Sequence, residues 1–159
     1  MNLLNFIWMI TIPLIASPVV YLSGRLGTHE VVLQRRSYLV RGLALLAILL
    51  AWIPFVFSVR TFLTGGLLEF NIETIWLRVD GISLLVAAMV LVLGTMVILF
   101  SGPYMAGEVG EEKYYAMLLA MIGLMIGLAC ADDLFNLWVW FEGMAVSSYL
   151  LVAFYREQP

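Results

Sequence analysis

Five long apolar blocks decide what this chain can fold into. They run at about 4–22, 42–59, 82–101, 114–131 and 134–155, four without any charge and the last with one. Each is close to the roughly 20 residues that carry a helix across a bilayer. Of the 159 residues, 64% are hydrophobic and 12% charged, and the mean hydropathy is +1.03. A soluble domain is nearer half apolar and a quarter charged. The expectation is an all-α integral membrane protein, residues 1–159 forming a single transmembrane domain of about five spans. The first block lacks a basic leader and a small-x-small cleavage pattern, so it reads as a retained span bent at Pro13 and Pro18.

Two connections carry information. From Leu68 to Asp80, Leu68, Phe70 and Ile72 alternate with Glu69, Asn71 and Glu73; the register then slips and Ile75, Leu77 and Val79 become the apolar set. Alternation with a slip predicts a short β-hairpin or bulged strand on the membrane surface, between the second and third helices. Gly102 to Lys113 holds Gly, Pro and three Glu, and reads as a solvated loop. If spans alternate, Arg25, Arg35, Arg36, Arg41, Lys113 and Arg156 fall on one side and Arg60 and Arg78 on the other. The excess of cations on the cytoplasmic side then sets the N-terminus out and the C-terminus in.

Several chemistries are excluded. One cysteine, Cys130, permits no intrachain disulfide and no iron–sulfur ligand set; one histidine, His29, permits no bis-histidine haem within the chain. Glycine-rich nucleotide fingerprints are missing. A net charge of −3 offers no basic face for nucleic acid. No cofactor is expected on this chain.

Among eleven acidic residues, Glu142 alone lies deep in a span, within Asn136-Leu-Trp-Val-Trp-Phe-Glu-Gly-Met144. An ionised group at bilayer depth costs at least about 3 kcal/mol. The functional reading is a proton-relay carboxylate facing the bundle interior; the alternative is a protonated, packed acid. Arg41 and Arg60 flank the second span and can snorkel to the interface, so any cationic partner comes from elsewhere. Asp132 and Asp133 precede the fifth span as caps of its N-terminus, or as a port facing outward. Gly123 and Gly127 form a GxxxG pair suited to close helix packing. Trp138 and Trp140 read as packing residues beside the acid. Ser148 and Tyr149 are hydroxyls one to two turns beyond Glu142, able to hold water or to bond their own helix.

Asp133-Leu-Phe-Asn-Leu-Trp-Val-Trp-Phe-Glu-Gly-Met144 with Ser148-Tyr-Leu-Leu-Val-Ala-Phe154 resembles the fifth helix of the antiporter-like subunits of respiratory complex I, a family shared with Mrp antiporters and membrane-bound hydrogenases. Val79-Asp-Gly-Ile-Ser-Leu84 resembles the start of the family's third helix, and Ser101-Gly-Pro-Tyr-Met105 its end. The resemblance implies that Glu142 matches a glutamate central to proton translocation. It also implies a pairing Lys on the seventh helix, in a fold of about fourteen helices built from inverted repeats. No such Lys helix lies within residues 1–159. The expectation is a split or shortened antiporter-like membrane subunit of a proton-translocating NADH:quinone oxidoreductase-type complex, carrying no redox chemistry itself, in an energy-coupling membrane such as the bacterial plasma membrane. Its expected partners are other membrane subunits, one supplying a Lys-bearing helix, and lipids, met through the Gly123/Gly127 face or the Glu142 face. The rival expectation is a structural subunit of a respiratory or photosynthetic complex that retains the fragment without pumping.

Overall fold

The computed structural model describes residues 3–25, 33–65, 69–72, 75–105, 108 and 110–154. The elements are helices α1 (Leu3–Arg25), α2 (Leu33–Leu63), α3 (Gly81–Met105), α4 (Glu111–Ala129) and α5 (Leu134–Phe154), with strands β1 (Glu69–Ile72) and β2 (Ile75–Arg78) between α2 and α3. All five helices are long and apolar enough to cross a membrane. The chain is an all-α integral membrane protein with a small hairpin. His29, Leu68, Glu73 and Arg156 lie outside the described residues, and so do the side chains of Arg35 and Arg36.

The slip in the alternating segment falls between two strands. β1 and β2 pair antiparallel, Phe70 opposite Leu77 and Ile72 opposite Ile75, so the apolar positions of each strand meet. Leu77 and Val79 are buried. Glu69 and Arg78 sit 3.8 Å apart, both well exposed, an arrangement that contributes little.

The segment expected as a solvated loop is mostly helix. α3 continues through Gly102 and Pro103 to Met105, and α4 begins at Glu111. Pro103 has no N–H to donate to the carbonyl of Leu99 four residues back. The Arg41 guanidinium of α2 donates to that carbonyl through Nη2 at 2.7 Å. It lies flat on Gly102, where a Cβ would fall 2.1 Å from it. Arg41 therefore lies within α2, against α3, rather than flanking the span.

α4 is the hub, packing against α1, α2, α3 and α5; α1 also packs on α2, and α2 on α3. Phe6, Met9, Ile10, Ile48, Leu91, Ile98, Tyr115, Leu119 and Ile126 are fully enclosed there. α5 is an outrigger. Among the described residues its one substantial helix contact is α4. Only 11% of its span is buried, against 44% for α4.

Candidate functional site

The start of α5 is held by backbone and by one carboxylate. β2 reaches past its hairpin partner to the α4–α5 corner: Arg78 N–H donates to the Cys130 carbonyl at 2.8 Å, and Asp132 N–H to the Trp76 carbonyl at 3.1 Å. Leu77 and Ala131 form an antiparallel bridge between these bonds. Asp133 then caps the helix, its Oδ1 accepting from the Asn136 N–H at 2.8 Å and its Oδ2 from the Asn136 side-chain amide. The backbone N–H of Asn136 above all holds the Asp133 carboxyl below the usual carboxylate range. Asp132 contributes its main-chain N–H to the hairpin, and the capping bonds are those of Asp133. At the same corner, burial pushes the Cys130 thiol up to about 12, so it stays protonated and is no nucleophile.

One side of α5 is seated. Trp140 lies over Gly127, where a Cβ would stand 2.6 Å from the indole, and Leu124 fills the space at Gly143. Asn136 and Ser147 are buried on the same side. Positions 136, 140, 143 and 147 repeat at helical spacing, so position 142 falls off that stripe. Glu142 is accordingly exposed. This corrects the expectation of a carboxylate facing the interior of the bundle: within the described residues Glu142 faces outward. It lies about 12 Å along the axis from Leu134, close to mid-span. Phe135, Trp138 and Tyr149 share its stripe at 62%, 57% and 72% exposure, an aromatic face around the acid.

The other singled-out residues separate. Tyr149 is two turns from Glu142 on the same stripe, about 10.5 Å along the axis. Ser148 points elsewhere and donates to the Ala145 carbonyl at 2.8 Å, as expected of a hydroxyl bonded to its own helix. Gly123 meets Leu14 and the Ile10 carbonyl of α1. The GxxxG pair therefore serves two internal seams, α1–α4 through Gly123 and α4–α5 through Gly127. Of the two faces expected to meet partners, the Glu142 face alone is bare.

Sequence reasoning missed a polar cluster at the opposite end of the bundle. Glu111 and Glu112, assigned to a solvated loop, are buried at the start of α4. Ser37 of α2 donates its hydroxyl to Glu111 Oε1 at 2.8 Å. One turn on, fully buried Tyr115 accepts a hydrogen bond from Ser101 at 3.1 Å. The Arg41 Nε is enclosed and has no hydrogen-bond acceptor among the described residues. The available signal was the four-residue spacing of Glu111 and Tyr115, which puts both on one helix face.

A bundle of helices long and apolar enough to cross a membrane, with a mid-span acid facing outward among the described residues and a capped helix start clamped by a hairpin, defines an α-helical integral membrane protein. Residues 68–115 match the family described as NADH-ubiquinone oxidoreductase (complex I), chain 5 N-terminus. The chain is 33% identical over 82 residues to the A1 subunit of the Na(+)/H(+) antiporter of Staphylococcus haemolyticus, covering 52% of this chain and 10% of that protein. It is 34% identical over 83 residues to the L subunit of the NADH-quinone oxidoreductase of Escherichia coli K12, covering 52% of this chain and 14% of that one. It is 30% identical over 101 residues to the A/B subunit of the probable K(+)/H(+) antiporter of Rhizobium meliloti, covering 59% and 10%. Over about half its length the chain is thus similar to membrane subunits of Na(+)/H(+) antiporters and of NADH-quinone oxidoreductase. It spans between 10% and 14% of the length of these relatives.

Proposed function

We propose that this chain forms part of an antiporter-like membrane subunit of a proton-translocating NADH:quinone oxidoreductase-type complex, and that Glu142 relays the proton. The observation that carries this reading is a mid-span carboxylate on a bare, aromatic helix face. Left against lipid, such a group is expensive. Covered by a partner helix bearing a Lys, it becomes a switchable site. An approaching ammonium favours the carboxylate, so the acid releases its proton; its withdrawal favours the protonated acid, which then takes a proton up. Trp138 and Tyr149 lie on the same exposed stripe of α5 as the acid. The two antiporter relatives differ in metal ion, Na⁺ or K⁺, and share H⁺ in their names, which favours the proton as the transported ion.

The proposed setting is a bacterial plasma membrane, with the N-terminus out. α1 and α4 bring Arg25 and Lys113 to the same end as Arg41, and Arg60 and Arg78 lie at the other, a distribution that supports this orientation. Accessibility of single cysteines to an impermeant reagent tests it: one beside Arg25 that reacts from outside reverses the topology.

The decisive experiment replaces Glu142 in the parent complex. Glu142→Gln keeps shape and hydrogen bonding but cannot ionise. Proton uptake into vesicles, normalised to assembled complex on a native gel, should fall severely, and Glu142→Asp should retain part of it. Wild-type uptake by a fully assembled Gln variant would leave only a structural role.

A further inference from the structure

α1 and α5 both lean on α4, and the described helices leave a groove between them at the end opposite the hairpin. The groove encloses about 280 Å³. Tyr21 of α1 forms one wall, Lys113, Tyr114 and Met117 of α4 the floor, and Leu150, Leu151, Ala153 and Phe154 of α5 the other wall. Tyr114 and Phe154 meet with ring centroids 6.0 Å apart, beside Lys113 at the helix ends.

The chemistry divides along its length. Met117, Leu150 and Leu151 supply an apolar lining that offers ordered water too few partners. The rim is cationic and phenolic. Lys113 is exposed in the first turn of α4. The Tyr21 hydroxyl accepts a hydrogen bond from Arg25 Nη1 at 3.2 Å, which places a second cation directly behind the wall. The nearby Glu112 packs over Gly24 and does not line the groove. Apolar walls that open at a membrane-span terminus beside two cations match one ligand: a phospholipid whose chain lies in the groove and whose anionic headgroup sits at the rim. Tyrosine and lysine at that depth are the side chains that bridge hydrocarbon and headgroup.

We propose that the α1–α4–α5 groove is a binding site for an anionic phospholipid, its acyl chain against Met117, Leu150 and Leu151 and its phosphate on Lys113, supported by Arg25 and Tyr21. The site is remote from Glu142 and does not depend on the relay.

The test uses the full chain in phosphatidylcholine vesicles doped with phosphatidylglycerol bearing a photoactivatable acyl chain, with crosslinks mapped by peptide mass spectrometry. Labelling should concentrate on the peptides containing Met117 and Leu150–Phe154. Lys113→Gln should lower it about fivefold, the weight of one lysine against an anionic lipid, and Lys113→Arg should restore it. Leu150→Trp, at a position already open to lipid, should fill the groove and abolish it. Excess inorganic phosphate should leave it unchanged. Equal labelling by a photoactivatable phosphatidylcholine, indifference to Lys113→Gln, or displacement by phosphate each overturns the proposal. So does an unlabelled groove, which means that protein covers it.

Discussion

Two acids divide this molecule. Glu111 sits at a helix end, beside charged neighbours, in a stretch that reads as loop; Glu142 sits alone in the middle of a span. Depth in the membrane and burial in the protein are different coordinates, and here they oppose each other. Glu111 is 6% exposed and bonded to Ser37, while Glu142 stands on the outside of α5. The helices differ in the same way. α4 is walled in by four others, and α5 rests on α4 through one face. An uncovered apolar face is unremarkable for a lipid-bathed helix, but a carboxylate at its centre is not a lipid-facing group. The difference separates a helix packed on several sides from one that rests on a single neighbour among the described residues.

The contrast is broken most severely at the seams of α4. Gly127→Leu drives a side chain into the Trp140 indole, and Gly123→Leu does the same against Leu14 and the Ile10 backbone. Each should cost about 1–3 kcal/mol or more, since overpacked cores have little room to yield. Thermal unfolding in mild detergent should show a clear drop for both. Phe135→Ala, on the bare stripe of α5, should leave the same melting temperature almost unchanged. A comparable loss at Phe135 would mean that α5 is seated differently.

The acids themselves give the next effect. Ser37→Ala removes a donor from a buried carboxylate and should destabilise the isolated chain by about 1–3 kcal/mol, as loss of a hydrogen bond to a buried charged group does. Glu142→Gln should not destabilise the isolated chain at all, while impairing the parent complex. If the two substitutions affected isolated-chain stability alike, the distinction between a satisfied acid and an unfilled one would fall.

Much of the architecture is legible in the residues, for identifiable reasons. Spans follow from apolar block length, and the hairpin from alternation with a slip. The helix ends were harder. Arg41, Ser37 and Glu111 look like loop residues because charge within a span is expensive, yet Pro103 frees a carbonyl and Gly102 clears a surface for the guanidinium, which extends α2 and α3 together. Facing was hardest of all. Every residue near Glu142 is apolar, so hydropathy has no amphipathic period to report, and only the small residues Gly127 and Gly143 mark the packed side. The mid-span acid was visible from the sequence; the direction in which it points was not.

The smallest effect lies at the hairpin end, where two carboxylates cap α3 and α5 in the same way. Asp80 accepts from the Ser83 N–H at 2.7 Å and the Ser83 hydroxyl at 2.8 Å, and Asp133 from Asn136. In each case the capping backbone N–H is the main reason the carboxyl is held below its usual range. A lowered folded-state pKa contributes stability that is fully present above the unfolded-state value, about 3.9 for Asp, and is lost as pH falls through the folded-state value. Both caps should therefore be intact at neutral pH and weaken only below about pH 4. Both are open to solvent, so the loss should be slight and partly screened by salt. Asp133→Asn keeps a capping oxygen but cannot ionise. It should leave the melting temperature near neutral pH almost unchanged and flatten its decline in acid. Asp132→Asn should do neither, because its carboxylate is not the cap. An acid decline that persists unchanged in the Asp80→Asn, Asp133→Asn double variant would show that the two caps do not govern it.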